Sequence, residues 1–436
     1  MKPTEEIAVR LVGGAQSAYV QELSYFFLNL LDEVVRTNGA VIRGREIADF
    51  ERLSRLSREE ALAIYYKYRL AIDKQTREVL KEALKKTDDE LVGQFVRAMG
   101  SRRHMTNLAT IIAAQTAQGM NEVLERQNIA LAKDQAALWY DVTAKAIARH
   151  QAGEPTRAVM ERGVTRLANS GLETIDYISG TKTTIDAALR RHIVSQANQA
   201  RNRLLMQRMD EWEWDLVFVD AHFGARPSHA EWQGKVYSRS GTSTEYPPLV
   251  ESTGYGTVTG LCGANCYHSM VPYVPGLSQL PDTDFESQEK LVGMTSDEYY
   301  AATQKQRRYE RLIRSQKREI SYLQEVRADA VKQRIRLGEL QDKLRQFTHD
   351  NHLRRDYDRE RAWAVSKQPK ALGRTDFRNT RKAMSRVNSG SQAKDVVSKS
   401  DFMKCATFED LQKAVEEKYG FYIDKALEEN FFEYTR

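Results

Sequence analysis

The chain has 436 residues, of which 41% are hydrophobic and 29% are charged. This composition excludes a wholly disordered chain, and at about 150 residues per domain the length predicts two to three domains. The 66 basic and 60 acidic residues leave a net charge of +6, which excludes a histone-like polycation.

Cysteine content and the lack of long apolar runs indicate the compartment. Cys262, Cys266 and Cys405 are too few for a disulfide framework, which favours a reducing environment. No apolar run approaches the ~18 residues of a membrane span, and the first residues contain no signal-peptide core. We therefore expect a protein that is made in a cytoplasm-like space and has no membrane partner.

The distribution of prolines divides the chain. Six of the nine prolines lie between residues 227 and 281. Because proline breaks helices, the proline-poor stretch 15–215 is free to be helical. Composition and the spacing of apolar residues there predict helices over 20–35, 105–150 and 183–212.

Short motifs predict where helices begin and break. Ser57 with Glu60 and Thr87 with Glu90 match capping boxes, each of which predicts the start of a helix. Gly153-Glu154-Pro155 predicts a break between two helices.

Residues 215–220, rich in β-branched and aromatic side chains, predict a short strand. The seven glycines between residues 234 and 276 then predict a small loop-rich α+β domain.

The loop-rich segment contains the densest group of reactive side chains. Thiolate and imidazole are ligands that zinc prefers, and the two cysteines are separated by three residues, within the usual range. One interpretation is therefore a zinc site, because a loop-rich domain gains stability from a bound metal. Its candidate ligands are Cys262, Cys266, His268, His222 and His229.

Three other interpretations use the same residues. Buried cysteines and hydrogen-bonded histidines would simply hold loops together. His229-Ala230-Glu231 before a cysteine pair is similar to the signature of zinc nucleobase deaminases, although no proline precedes Cys262 and the cysteine gap is three rather than two. Finally, Cys266 would act as a nucleophile if His229 or His268 activated it.

Residues 301–365 form a basic segment with 17 Lys and Arg against 10 Asp and Glu. Apolar residues spaced by seven or fourteen, from Tyr309 to Phe347, predict a coiled-coil-like helical arm with a mixed seam. Its cations would contact DNA phosphates or an acidic protein surface, or would only be solvated. The candidate binding residues are Arg307, Arg308, Arg311, Arg314, Lys317 and Arg318.

The fold class predicted from these elements is mainly α, with long helices and a helical arm around a small loop-rich α+β domain. Residues 1–180 form a helical region, 181–285 the loop-rich domain and 286–366 the basic helical segment. Residues 367–436 form a polar tail, in which Thr407 starts a short helix.

Three runs of sequence resemble one known family. They are HFGARPSHAEWQGKVYS, GYGTVTGLCGANCYHSMVPYVPG and QKQRRYERLIRSQKREI. They resemble phage minor capsid protein 2, which is related to the MuF-like head morphogenesis proteins of tailed phages. The resemblance is specific over residues 180–365. The shared R-P-S-H, G-K and N-C elements supply a loop-fixing motif, here Arg226, Pro227, Ser228, Gly234 and Asn265.

The resemblance implies a structural protein rather than an enzyme. Such a protein is carried inside the head in few copies, near the portal, and assists head assembly, DNA packaging or ejection. Its implied partners are the portal protein and other head proteins, with packaged DNA bound non-specifically by the basic helix. The alternative is a metal-dependent hydrolase or deaminase that acts on nucleic acid through the His/Cys cluster, with Glu231 as general base. No cofactor other than zinc is expected.

Overall fold

A computed structural model describes residues 3–36, 41–42, 45–46, 50–100, 106–170, 173–175, 182–263 and 266–371. Asn265, Cys405 and the helix predicted from Thr407 lie outside these residues. Within the described ranges, no helix combines the length and apolar character that crossing a bilayer requires.

Helices make up most of the described residues, and the strands are short. The helices are α1 (Pro3–Gly13), α2 (Ala15–Arg36), α3 (Phe50–Met99), α4 (Leu108–Gln151), α5 (Thr156–Ser170), α6 (Ile185–Glu211), α7 (Pro227–Ala230), α8 (Leu249–Thr253), α9 (Glu286–Val292), α10 (Ser296–Glu325) and α11 (Val331–Asp350), with a 3₁₀ turn at Tyr357–Glu360. The strands are β1 (Val41–Ile42), β2 (Arg45–Glu46), β3 (Glu173–Ile175), β4 (Lys182–Thr184), β5 (Leu216–Val219), β6 (Val236–Ser238) and β7 (Met270–Pro272).

These elements confirm the mainly α class, but two predicted helix starts are wrong. Ser57 and Thr87 both lie inside α3, a single helix of 50 residues. The Thr87 hydroxyl donates to the carbonyl of Ala83 at 3.1 Å. A hydroxyl inside a helix can be satisfied in this way by the preceding turn, so a capping-box pair does not require a helix to begin.

Two compact units make up the chain. Unit 1 comprises Met1–Leu23, Arg58–Asp134 and Leu172–Lys305, and unit 2 comprises Ser24–Ser57, Gln135–Gly171 and Gln306–Arg436. Each unit therefore combines segments that are distant in sequence. The domain boundaries predicted from the sequence stay predictions.

The core of unit 1 combines aromatic packing with one buried cation. The Phe95 ring stacks on Trp212 with centroids 4.4 Å apart, and Trp214 packs against both. Arg208, on α6, is 2% exposed and forms two hydrogen bonds to the carboxylate of Asp88 on α3, at 2.6 and 2.7 Å. The end of α6 is thereby fixed to α3, close to the start of β5.

A pair of buried amides connects α2 to α4 within unit 1. Gln16 Nε2 donates to Asn128 Oδ1 at 2.6 Å, and Asn128 Nδ2 donates back to Gln16 Oε1 at 2.9 Å. The Tyr19 hydroxyl also donates to the Asn128 carbonyl oxygen at 2.9 Å. Both amide side chains are therefore satisfied inside an apolar interior.

In unit 2, α10 and α11 form an antiparallel hairpin. The ring of Tyr309 packs on Phe347 with centroids 5.6 Å apart, and Gln333 Nε2 donates to Glu319 Oε1 at 3.3 Å. The seven-residue pattern predicted from the sequence therefore lies on two helices that pack on each other. Arg327 allows the turn between them with a φ of 55°, in the left-handed region.

The segment after α11 packs on α10 through buried charges. Arg355 forms two hydrogen bonds to the Glu360 carboxylate, at 2.5 and 2.8 Å, and the Glu360 side chain is 1% exposed. Arg314 donates to the carbonyl oxygen of Arg359 at 2.5 Å. Lys317 is buried close to Glu360, and its pKa is lowered by burial against the opposing effect of that carboxylate. Cations of α10 therefore take part in intramolecular packing.

Candidate metal centre

A three-stranded sheet in unit 1 brings the predicted cluster together. β5 lies between β6 and β7 and pairs with both in antiparallel fashion. Val219 at the end of β5 pairs with Met270 at the start of β7. His222 follows β5 and His268 precedes β7, so the sheet register places them side by side, with ring centroids 4.5 Å apart.

Three of the five predicted ligands form a compact group. His229 on α7, together with Cys266 and His268 in the loop before β7, each offers one ligand atom, and these atoms lie within 4.8 Å of one another. The three residues are only 3%, 3% and 1% exposed. Cys262 and His222 are not members of this group. All five assignments as ligands stay predictions.

Hydrogen bonding fixes the orientation of the His268 ring. Its Nε2 lies 2.9 Å from the side-chain oxygen of Gln233, which can only accept. In the neutral imidazole, Nε2 therefore carries the proton and Nδ1 has the lone pair. Nδ1 lies 3.6 Å from the sulfur of Cys266. The same Gln233 oxygen accepts the backbone N–H of His222 at 3.1 Å.

The His229 ring is held in a similar way. Its Nε2 lies 3.0 Å from the carbonyl oxygen of Thr259, so this nitrogen donates and Nδ1 is the basic one. The indole of Trp232 packs against both histidines, with centroids 4.6 Å from His229 and 4.8 Å from His268. Burial lowers the pKa of His229, the hydrogen bond to Thr259 opposes this effect, and the positive charge of Arg226 lowers the pKa further. The net lowering favours the neutral imidazole, which is the form that binds metal.

The two cysteines have different surroundings. Burial raises the pKa of the Cys266 thiol, while backbone N–H groups of His268 and Cys262 act in the opposite direction. Burial also raises the pKa of Cys262, whose backbone has a φ of 63°. The nucleophile interpretation requires an accessible thiolate, and the burial of Cys266 does not favour it. Glu231, the general base of the alternative enzyme, is exposed to solvent.

Two glycines allow the loop before Cys266 to fold tightly on itself. A Cβ atom on Gly263 would lie 2.4 Å from the carbonyl oxygen of Val258, and one on Gly260 would lie 2.0 Å from that of Gly254. Both obstacles are backbone atoms, so a side-chain rotation cannot relieve them. The loop that contains Cys262 therefore requires glycine at both positions.

Replacing Gly263 by alanine is expected to lower the free energy of unfolding by about 1–3 kcal/mol, because overpacking forces the backbone to shift. Gly119→Ala on α4 is the matched control, since a Cβ there would have no atom within 4 Å. That control should be neutral or stabilising by up to about 1 kcal/mol. Urea unfolding of both variants checks the difference, and equal stability of the two would contradict the described loop.

The loop-fixing motif lies beside the cluster. Pro227 occupies the first turn of α7, and the Arg226 carbonyl accepts the backbone N–H of His229 at 2.7 Å. Gly234 has a φ of 72°, and a Cβ there would lie 2.9 Å from Thr283 Cγ2. Ser228 is exposed. Arg226, Pro227 and Gly234 thus shape the backbone that positions His229 and Gln233.

The six basic residues predicted on α10 do not form one exposed face. Lys317 and Arg318 are 8% and 4% exposed, and Arg318 donates to the carbonyl of Ala168 at 2.9 Å. Arg308 and Arg311 are exposed, whereas Arg307 and Arg314 are partly buried. The surface available to a partner is therefore narrower than the sequence predicted.

Comparison with known proteins identifies the family. The profile of the family described as phage minor capsid protein 2 matches residues 46–349, which is more than half of the chain. The chain belongs to the phage minor capsid protein 2 family. The matched range includes the Cys/His cluster, α10 and most of α11.

Two curated relatives of this family member come from Lactococcus phages, and both are named structural protein. The protein of phage LL-H is 29% identical over 192 residues, which cover 42% of this chain and 50% of the relative. The protein of phage mv4 is 29% identical over 117 residues, which cover 26% of this chain and 90% of the relative. The chain thus spans only half of the LL-H protein. No solved structure matches it.

The sequence did not reveal the residues that orient the cluster. Gln233, Thr259 and Trp232 surround the two histidines of this minor capsid family member, but none is a type that signals a metal site. The short spacing from His229 to Trp232 and Gln233 is the only signal that the sequence offered.

Proposed function

We propose that this protein is a low-copy component of the phage head that contacts the portal and assists head assembly, DNA packaging or ejection. The observation that carries the proposal is the match of the phage minor capsid protein 2 family to residues 46–349. The names of the two Lactococcus phage relatives support a structural role.

The fold is consistent with such a role. α3 and α4 are 50 and 44 residues long, and helices of this length present extended surfaces to protein partners. The reactive Cys/His group is buried, and its candidate general base is exposed, which favours a structural protein over the alternative hydrolase or deaminase. Non-specific contact with packaged DNA stays a prediction, now centred on the exposed Arg308 and Arg311.

Quantitative mass spectrometry of purified virions tests the proposal. We expect the full-length chain at a low, fixed ratio to the portal protein. Particles assembled without the portal should lack the chain, because the portal recruits it. Particles blocked in DNA packaging should retain it, which separates recruitment by protein from recruitment by DNA.

Absence of the chain from virions, together with its presence in infected cells, would contradict the proposal. Such a result would indicate a transient assembly factor or a protein that acts on the host. Retention of the chain in portal-free particles would contradict the portal contact alone.

A further inference from the structure

The group formed by His229, Cys266 and His268 has the chemistry and closeness of a metal site. We propose that these three residues bind one zinc ion. One thiolate and two imidazoles are ligands that zinc prefers, and the three ligand atoms lie within 4.8 Å of one another. All three residues belong to unit 1.

The separation of two ligand atoms already fits a shared ion. Zinc binds sulfur at about 2.3 Å and nitrogen at about 2.0–2.1 Å, so tetrahedral geometry separates the two atoms by about 3.5 Å. The distance from Cys266 Sγ to His268 Nδ1 is 3.6 Å. Binding at this pair therefore requires little movement, and the zinc ion replaces the thiol proton, which passes to solvent.

The second nitrogen of each histidine is held as in known zinc sites. His268 Nε2 donates to the Gln233 side chain at 2.9 Å, and His229 Nε2 donates to the Thr259 carbonyl at 3.0 Å. Ligating histidines nearly always donate their other ring N–H to an oxygen, which fixes the tautomer. Both rings are thus prepared to offer Nδ1.

The surroundings favour a site that stabilises rather than reacts. Trp232 packs against both rings, and the exposed Glu231 is not part of the group. An ion here would join α7 to the loop before β7, two segments more than 30 residues apart in the sequence. Its role is to hold that loop in place.

Metal analysis and cobalt substitution test the proposal on the full-length protein, purified under reducing conditions without chelators. We expect one zinc per chain. After exchange, Co²⁺ should give the intense visible bands of a tetrahedral site and a thiolate-to-cobalt charge-transfer band. A protein that holds no zinc and gives no cobalt spectrum would overturn the proposal.

Two serine variants form a matched pair. Cys266→Ser should abolish the charge-transfer band and reduce metal occupancy more than tenfold. Cys262→Ser alters an equally buried cysteine outside the group, so it should leave the charge-transfer band and the metal occupancy unchanged. An unchanged band in Cys266→Ser, or its loss in Cys262→Ser, would overturn the assigned ligands.

A third variant, which replaces one proposed ligand residue by another, keeps the test informative if Cys266→Ser does not fold. His268→Cys retains three ligands and adds a second thiolate, so the charge-transfer intensity should about double while zinc stays at one per chain. If instead the cysteine and histidines only hold the loops by hydrogen bonds, His268→Cys would show no such band, and the proposal would fail.

Discussion

Replacing Arg208 by methionine is expected to lower the free energy of unfolding of unit 1 by about 3–5 kcal/mol, because it leaves a partly buried carboxylate without its partner. The Arg208 guanidinium contacts the carboxylate of Asp88, Glu211 Oε2 at 2.6 Å and the carbonyl oxygen of Thr106 at 2.9 Å. Hydrogen exchange of the α6 amides, residues 185–211, measures this loss locally, which is appropriate for a protein with two units.

The matched control is Arg77→Met, the same substitution in a surface ion pair. Arg77 is 66% exposed and contacts Asp73 one helical turn away. Its loss should change stability by less than about 0.5 kcal/mol. Adding Asp88→Leu to Arg208→Met should recover part of the stability, because the unpaired charge is removed as well. If Arg208→Met were as mild as Arg77→Met, the buried ion pair would not have the role that we assign to it.

Replacing Glu360 by alanine is expected to lower the stability of unit 2 by about 3 kcal/mol. The substitution leaves Arg355, 15% exposed, and the buried Lys317 without the carboxylate that compensates their charge. The segment 351–371 should then detach from α10. Limited proteolysis should cleave this segment faster, and urea unfolding measures the loss of stability.

Asp342→Ala provides the comparison for Glu360→Ala within the same unit. Asp342 pairs with Arg345 on the surface of α11, and both side chains are more than half exposed. Loss of this pair should cost less than about 1 kcal/mol and should not change cleavage after residue 350. Equal protection of the segment in the Glu360 variant would show that other contacts hold it.

The helical character of the chain could be predicted from its sequence, but several helix boundaries, such as those of α3, α10 and α11, could not. The absence of proline and the apolar spacing correctly indicated α4 and α6, and the β-branched and aromatic residues of 215–220 correctly indicated β5. The hairpin of α10 and α11 was not foreseen, since the apolar spacing continues through the turn. Arg327 adopts the left-handed conformation there without a glycine to signal it.

The candidate site, too, could be predicted from the sequence only in part. Spacing and residue type predicted five candidate ligands, and the fold places three of them together. Which three depends on the register of β5 with β7 and on the tight loop at Gly260 and Gly263. Those features arise from backbone pairing and close approach of main-chain atoms, which no local motif specifies.

The amide pair of Gln16 and Asn128 has a consequence for how uniform the copies of this protein are. Sliding α2 along α4 by one turn, about 5.4 Å, would place Asn128 opposite Val20, the apolar residue one turn from Gln16 on α2. Each amide left unsatisfied would cost about 1–3 kcal/mol. Apolar side chains alone would tolerate such sliding more easily, whereas a reciprocal amide pair selects a single alignment. Every folded copy should therefore keep the same register of α2 against α4 at this amide pair.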